Sequence, residues 1–539
     1  MYDIKITGGT IVDGSGQAKY KADIGIVGDH IAAIGCLKEQ SAHRTIDAAG
    51  MVVSPGFIDT HTHSDLAAIY DPHMAAHIHD GVTTDIIANC GIGTAPVTQK
   101  NRQLLLDYLG TRMIGSLPVK IELHWETMDE YLNYLRTHAP AGNIAPLVAQ
   151  GSIRIAEMGF AMGKASCEQI RSMQKMVEES MEAGALGIST GLAYLPGAYT
   201  EWEEIREITK PVSKYDGLYI SHIRNQSSDI FQSVDEAIAI GKGAGVDVHI
   251  SHIKLAGPEV RGKTDALLEK IYHAEQDGVK MTFDLYPYDA GNTALTTVLP
   301  PWVFEGGIKN LLKRVGRISD QERIRHDCQE GIPGWQNYSK ELGWSKICVS
   351  SVLTSQNRRW EGMTIQEIAD QQKKDPFDVV FQLLTEEDAR VQTIVSHLDE
   401  RDVEAFLSQP DAMIGSDSMS LSVEGPLSFG KPHPRAFGTH GCILGKYVRE
   451  KRLMTLEQAV RKMTHLPAER FKIYRRGLLK EGYYADITVF DPDTITANAT
   501  YRDPKHYTTG IKAVIVNGKI VLEDDRQLET FVGRVVGRR

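Results

Sequence analysis

The chain has 539 residues, of which 42% are hydrophobic and 24% are charged, and its formal net charge is −11. This composition excludes a chain dominated by disorder or coiled coil, and no run reaches the roughly 18 apolar residues of a membrane span, so we expect no membrane partner. The net negative charge, without a concentrated basic patch, argues against a nucleic-acid partner. The six cysteines form no CxxC pair and no signal peptide is visible, so we predict a cytoplasmic protein.

Both ends of the chain predict short β-strands. Residues 23–27 and 30–34 flank the turn pair Gly28-Asp29, and residues 513–516 and 519–522 flank Asn517-Gly518, which are hairpin signals. Neither end carries enough alternating strand to bury a core alone. We therefore predict that residues 1–54 and 475–539 pack together as one small, discontinuous β-sandwich domain.

The middle of the chain, residues 55–474, alternates strand and helix signals. Ser166 with Gln169 three positions later predicts a helix start, Gly184 predicts its end, and residues 186–190 predict the next strand. Repeated βα units over this length predict an α/β fold with a (β/α)8 TIM-like barrel, interrupted by an insertion at about 291–350. A doubly wound open sheet is the alternative, although no GxGxxG motif opens a helix after an early strand.

The first chemical signal follows the strand predicted near residue 58. His61 and His63 stand two positions apart, so in an extended segment both side chains project to the same side and can share a metal ion. An HxH pair is weak evidence alone, because two partly exposed histidines at a strand end give the same pattern.

Three further candidates stand at the ends of later predicted strands. Cys90 ends one of them, and His222 and His252 end two others in the repeated pattern Ser-His-Ile followed by Arg or Lys. Catalytic residues of a barrel gather at the carboxyl ends of its strands, so we expect these side chains to converge with His61 and His63. A lone cysteine such as Cys90 is more often a buried apolar side chain than a metal ligand. Beside four converging imidazoles, however, a thiolate is a plausible ligand, and nitrogen ligands with one thiolate favour zinc over magnesium or calcium.

A carboxylate completes the set. Asp417 follows a short apolar strand late in the βα region, where most aspartates are turn or cap residues. At the mouth of a barrel that faces a metal ion, a carboxylate can take a proton from water.

Taken together, these motifs resemble the amidohydrolase superfamily and, within it, the D-aminoacylase (N-acyl-D-amino-acid deacylase) family. The matching segments, in chain order, are PGFIDTHTH at 55–63, GVTT at 81–84, NCG at 89–91, GISTGLAYLPG at 187–197, DLYPY at 284–288, GSD at 415–417, HPRAFGT at 433–439 and EGYYAD at 481–486. The resemblance implies zinc-dependent hydrolysis of the amide bond of N-acyl-D-amino acids, which releases a carboxylate and a free D-amino acid.

The resemblance also implies a role for each candidate residue. The implied zinc ligands are Cys90, His222 and His252 at a tight site, with His61 and His63 completing a second, weaker site that shares Cys90. Asp417 matches the catalytic aspartate. The implied substrate contacts are Arg435 on the α-carboxylate, Lys254 and Tyr286 in support, and Tyr194 near the scissile amide or the acyl group. A small N-acyl amino acid is the only partner implied, and the number of subunits stays open.

Two departures and two alternatives limit this interpretation. The stretch 418–432 is longer than the family pattern, and Asn292-Thr293 stands where a small hydroxyl residue is expected, so substrate preference is open. A cyclic-amide hydrolase of the hydantoinase or dihydroorotase type is one alternative. Many members elsewhere in the superfamily bridge two metals with a carboxylated lysine, whereas Cys90 favours the deacylase branch. A non-catalytic barrel homologue is the other alternative.

Overall fold

The computed structural model of the chain describes residues 1–115, 120, 122–276 and 278–538. Within these ranges the chain is an α/β protein. None of its described helices combines the length and the apolar character that crossing a bilayer requires.

The described residues form 23 β-strands. In chain order they are β1 Tyr2–Thr7, β2 Thr10–Ile11, β3 Tyr20–Lys21, β4 Asp23–Val27, β5 His30–Gly35, β6 Ala42–Asp47, β7 Val52–Pro55, β8 Phe57–Asp59, β9 Val82–Ile87, β10 Asn143–Pro146, β11 Val148–Ala149, β12 Gly187–Gly191, β13 Leu218–His222, β14 Asp247–Ile250, β15 Met281–Leu285, β16 Ala290–Ala294, β17 Ile347–Ser351, β18 Gln392–Ser396, β19 Ala412–Ile414, β20 Ile487–Phe490, β21 Ile511–Val516, β22 Lys519–Glu523 and β23 Arg526–Gln527.

The α-helices separate and cover these strands. In chain order they are α1 Ala67–Tyr70, α2 Ala75–His79, α3 Arg102–Leu109, α4 Met128–Thr137, α5 Gln150–Met158, α6 Cys167–Ala183, α7 Trp202–Thr209, α8 Ile230–Ala244, α9 Thr264–Gln276, α10 Ile308–Val315, α11 Ile318–Glu330, α12 Tyr338–Leu342, α13 Ile365–Gln372, α14 Pro376–Glu386, α15 Glu400–Leu407, α16 Arg435–Cys442, α17 Leu456–Met463 and α18 His465–Arg470. A short π-helical turn, Gly110–Ile114, continues α3.

Two parallel sheets form the centre of the molecule. One has the order β10-β9-β8 and the other the order β11-β12-β13-β14-β15-β19. At one junction β10 and β11 are separated only by Leu147, whose N–H donates to Ile87 O over 3.2 Å. At the other, the Thr60 N–H donates to Ile414 O over 3.3 Å, just past β8. Parallel pairing directs the carboxyl ends of all these strands to one side.

The predicted helix start at residue 166 is confirmed in atomic detail. The Ser166 hydroxyl accepts the Gln169 N–H over 3.2 Å, and the Gln169 side chain accepts the Ser166 N–H over 2.9 Å. These two bonds satisfy N–H groups that the first turn of α6 would leave unpaired. Gly184 ends the helix with φ of +123°, a conformation that favours glycine.

Strands from both chain ends share one sheet, with the order β23-β22-β21-β20-β7-β2-β3, while β5-β4-β1-β6 forms a second sheet. Both predicted hairpins are present, as β4 with β5 and β21 with β22. One buried cluster joins the two sheets, with Ile6 and Ile26 contributed by one and Ile487 and Ile515 by the other.

A separate sheet interrupts the parallel pattern between β15 and β19. It is antiparallel, with the order β16-β18-β17, and α10, α11 and α12 lie between its first two strands in the chain. This segment begins at Ala290, close to the expected start of the insertion, and its sheet continues to Ser396.

Candidate metal centre

The five predicted ligands and Asp417 all follow or end parallel strands. His61 and His63 follow β8, Cys90 follows β9, His222 is the last residue of β13, His252 follows β14, and Asp417 follows β19. The carboxyl ends of these strands meet on one side of the two sheets. Residues far apart in the sequence are therefore brought to one place.

The Cys90 thiol lies at the centre of this group. Its Sγ is 3.2 Å from His61 Nε2, 3.3 Å from His252 Nε2 and 3.7 Å from His222 Nδ1. One ligand atom from each of His61, Cys90, His252 and Asp417 lies within 4.8 Å of all the others. Imidazole nitrogens with a thiolate are the donor set that zinc prefers, so these residues fit a zinc ion.

His63 lies at the more open edge of the group. Its Nε2 is 3.3 Å from Asp417 Oδ1, and its side chain is 17% exposed, whereas that of His61 is fully buried. The His61 Nε2 is 3.6 Å from the same carboxylate oxygen. Both histidines of the HxH pair therefore face Asp417 from one side.

The protonation of Cys90, His222 and His252 suits metal binding. Burial alone would raise the pKa of the Cys90 thiol, but His61 and His252 hold it well below its usual value, which favours the thiolate. Burial lowers the pKa of His222 to about 3, and burial and Lys254 also lower the pKa of His252. Thiolate and neutral imidazole are the forms that bind metal. Burial alone would lower the pKa of His61 and His63, but Cys90 and Asp284 raise that of His61 well above its usual value, and Asp417 and Cys90 raise that of His63 to about 9.

Asp417 is an ionised carboxylate with a cationic neighbour. Burial alone would raise the pKa of Asp417, but Arg435 and the nearby imidazoles hold it well below its usual range. The Arg435 Nη1 lies 2.9 Å from Asp417 Oδ2, and the Arg435 Nε is buried without a hydrogen-bond partner among the described residues. Arg435 therefore retains hydrogen-bonding capacity for a further group in the cavity.

Three residues of the group hold a left-handed backbone. Cys90, His252 and Asp417 have φ of +55°, +35° and +50°. Such a conformation costs a non-glycine residue of order 1 kcal/mol or more, and it recurs at functional sites. The backbone at these strand ends is therefore held by its surroundings.

The predicted substrate contacts lie around the same group. Lys254 Nζ is 2.9 Å from His252 Nδ1, and the Arg435 guanidinium lies over the Tyr286 ring, 4.6 Å from its centroid. Tyr194 meets His222 edge to face with ring centroids 4.5 Å apart. All four predicted contacts are thus adjacent to the ligand group.

Sequence reasoning missed two carboxylates that hold the ligands in place. Asp284 Oδ1 accepts the His252 N–H over 2.5 Å, and its Oδ2 lies 3.5 Å from His61 Nδ1. Asp59 Oδ1 accepts the N–H groups of His61 and Ser416, over 3.1 and 2.9 Å. Asp59 lies in the motif PGFIDTHTH, and Asp284 lies in DLYPY. Each stands on a strand next to a predicted ligand, and this position was the signal that could have identified it.

Two cavities open onto this group. The larger is lined by His63, Cys90, Tyr194, Asp417 and Arg435 among others. The smaller is lined by Lys254, Tyr286 and His397 among others, and it shares Tyr194 and Asp417 with the larger one.

Comparison with known proteins gives relatives over the whole chain. The sequence model of the amidohydrolase family matches residues 44–301 and 360–522, and it leaves much of the interrupting segment unmatched. The D-aminoacylase of Alcaligenes xylosoxydans xylosoxydans is 35% identical over 100% of this chain and 98% of its own length. The N-acyl-D-glutamate deacylase of the same organism is 33% identical over 96% of this chain and 93% of its own length.

Solved structures agree with these sequence relatives. A crystal structure of D-aminoacylase superposes with a TM-score of 0.82 at 33% identity, covering 100% of both chains. The N-acyl-D-glutamate deacylase of Bordetella bronchiseptica, complexed with zinc and a phosphonate inhibitor, superposes with a TM-score of 0.81 at 32% identity, covering 99% of both chains. The D-hydantoinase of a Thermus species shares the fold at a TM-score of 0.55 and 15% identity. The chain therefore belongs to the amidohydrolase family and, within it, to the D-aminoacylase group.

Proposed function

We propose that this protein is a zinc-dependent hydrolase that cleaves the amide bond of N-acyl-D-amino acids. The observation that carries the proposal is the Cys90 thiol, with three imidazole nitrogens within 3.7 Å of it and the Asp417 carboxylate beside them. The D-aminoacylase and the N-acyl-D-glutamate deacylase that this chain resembles over nearly its full length support the reaction class.

Cys90, His222 and His252 would hold the tight zinc ion, and His61 and His63 would complete a weaker site that shares Cys90. Zinc bound by such ligands acts as a Lewis acid that polarises a carbonyl and makes water more acidic. The centre of D-aminoacylase is described as binuclear, with activation by one metal and attenuation by the second, which supports unequal sites here.

Asp417 would carry the proton in this reaction. Its ionised carboxylate would accept a proton from the attacking water and donate it to the departing amine, so one group serves first as base and then as acid. His63 Nε2 at 3.3 Å and Arg435 Nη1 at 2.9 Å hold the two oxygens of this carboxylate in place.

Arg435 would bind the α-carboxylate of the substrate and so select the D-enantiomer. A guanidinium can form two parallel hydrogen bonds with a carboxylate, which fixes the α-carbon relative to the scissile amide. The buried Nε of Arg435, which has no hydrogen-bond partner in the described part of the chain, supports this role, as do Lys254 and Tyr286 in the adjoining smaller cavity. Tyr194, in contact with His222, would lie near the scissile amide or the acyl group.

Arg435→Lys is expected to raise KM for N-acetyl-D-methionine by about tenfold or more, because a point charge replaces a two-donor fork. Steady-state kinetics measure the change. Arg401→Lys is a matched control, since Arg401 is an exposed arginine that pairs with Asp399 through two nitrogens outside these cavities. An unchanged KM in the Arg435 variant would remove this residue from the substrate site.

A panel of N-acetyl D- and L-amino acids, with hydantoin and dihydroorotate, tests the proposed reaction against the cyclic-amide alternative. We expect cleavage of the D-amides, with much slower cleavage of the L-amides and of both cyclic amides. Faster turnover of a cyclic amide would contradict the proposal. The absence of turnover on every substrate, in protein loaded with zinc, would favour the non-catalytic homologue.

We also propose that the two parallel sheets form one closed (β/α)8 TIM-like barrel, residues 55–474 with an insertion at about 291–350. The Thr60–Ile414 hydrogen bond and the parallel bridge between Thr62 and Ser418 support closure between β8 and β19. Residues 1–54 and 475–539 would form the β-sandwich domain, which the shared cluster of isoleucines supports. A crystal structure with β8 and β19 apart would contradict closure.

A cytoplasmic location remains part of the proposal. All six cysteines are free thiols, as expected in a reducing compartment. Recovery of the protein from an oxidising compartment on cell fractionation would contradict it.

A further inference from the structure

Arg112 is a cation in the wall of the larger cavity, and it has no acidic partner among the described residues. It lies in the π-helical turn Gly110–Ile114, and it lines the same cavity as Cys90, Asp417 and Arg435. Among the residues that the structure describes, it forms no ion pair, and its buried Nε has no hydrogen-bond partner. A partly buried guanidinium without an anion retains most of its capacity to bind one.

One aromatic ring, that of Tyr194, lies against this guanidinium beside the proposed zinc ligands. Its central carbon lies 3.9 Å from the centroid of the Tyr194 ring, and Tyr194 in turn meets His222 at 4.5 Å. A guanidinium that lies over an aromatic ring can still donate N–H groups from its edge to a ligand. The contact with Tyr194 therefore places the Arg112 charge in the cavity wall, beside the proposed zinc ligands.

The rest of the cavity wall combines apolar and cationic groups. Its apolar residues include Ile92, Met113, Met419, Leu421 and Phe429. Arg435, the other arginine in this wall, is already paired with Asp417 and is assigned to the α-carboxylate. A ligand with one carboxylate bound to Arg435 would leave the Arg112 charge without an anion, whereas a ligand with two carboxylates joined by methylene groups would supply one to each arginine and apolar surface to the rest of the wall.

We propose that Arg112 binds a second carboxylate of the substrate, so that the preferred substrates are N-acyl-D-amino acids with an additional acidic group. This inference rests on the proposed function and narrows it to a substrate class. The second carboxylate can belong to the amino-acid side chain or to the acyl group. Both present the same chemistry to Arg112.

Two matched substrate pairs test this inference. N-acetyl-D-glutamate is compared with N-acetyl-D-glutamine, and N-succinyl-D-alanine with N-succinamoyl-D-alanine, so that each pair differs only in acid against amide. We expect the native enzyme to favour the acid in one pair by about tenfold or more in kcat/KM, the usual effect of a charge-assisted hydrogen bond. The pair that shows the preference identifies the source of the carboxylate.

Arg112→Met removes the charge and keeps the length of the side chain, and it is expected to reduce that acid-to-amide ratio by about tenfold or more. Arg112→Lys, which keeps a point charge, is expected to retain a ratio above that of Arg112→Met. Arg323→Met is the control, because Arg323 stacks on Trp302 at 4.0 Å outside both cavities and should leave the ratio unchanged.

Native enzyme that cleaves N-acetyl-D-glutamine as well as the acid, with no preference in either pair, would overturn this inference and leave the proposed function standing. An Arg112→Met variant with the same acid-to-amide ratio of kcat/KM as the native enzyme would also overturn the inference. Native enzyme that cleaves no N-acyl-D-amino acid would overturn the proposed function and this inference with it.

Discussion

Asp417→Asn is expected to lower kcat by about a hundred- to ten-thousandfold, the range that general acid–base groups contribute. The amide has nearly the shape of the carboxylate, but it can neither accept a proton from water at neutral pH nor pass one to the amine. Because the proposed tight ligands are Cys90, His222 and His252, the variant should still bind zinc. Steady-state kinetics with zinc content from mass spectrometry measure both results.

Asp23→Asn controls for the loss of a buried carboxylate as such. Asp23 accepts the N–H groups of Gly8 and Leu37 in the N-terminal sheets, away from both cavities, so its variant should keep native kcat. Near-native turnover of Asp417→Asn would mean that another group moves the proton.

Cys90→Ser has the second large expected effect. A serine hydroxyl stays protonated at neutral pH and is a poor zinc ligand, whereas the Cys90 pKa is held low by its imidazole neighbours. Since Sγ lies within 3.7 Å of three histidines, its loss removes the common ligand of both proposed sites. We expect zinc affinity to fall by more than about a hundredfold, and activity at trace zinc to fall with it.

Competition with a chromophoric chelator measures the affinity of this variant, and added zinc should restore part of its activity. Cys442→Ser is the matched control, because Cys442 is also buried but lies beside Pro287 O at 3.9 Å and outside the ligand group. A Cys90 variant that purified with native zinc content would exclude the thiolate as a ligand.

The strand ends that carry the site were predictable because their signals are local. The two Ser-His-Ile segments repeat one pattern on neighbouring strands, β13 and β14, and the HxH pair uses the two-residue period of extended chain. Cys90 needed its context, since a lone buried cysteine has no signature of its own.

Other features depend on contacts that no local pattern encodes. The left-handed backbone of Cys90 and His252 follows from the packing of the strand ends, and Asp284 reaches His252 only through the pairing of β14 with β15. Arg112 lies in an irregular π-helical turn without a usable periodicity. The antiparallel sheet β16-β18-β17 joins β16 and β18 across about 100 residues, so its strands could not be paired from sequence.

X-ray absorption at the zinc edge tests the central claim most directly, because it reports the atoms bound to the ion in purified, active protein. We expect one sulfur at about 2.3 Å and nitrogen or oxygen neighbours at about 2.0–2.1 Å. Fully active protein that holds no zinc, or zinc whose nearest atoms include no sulfur, would contradict a centre built on Cys90 and its surrounding histidines.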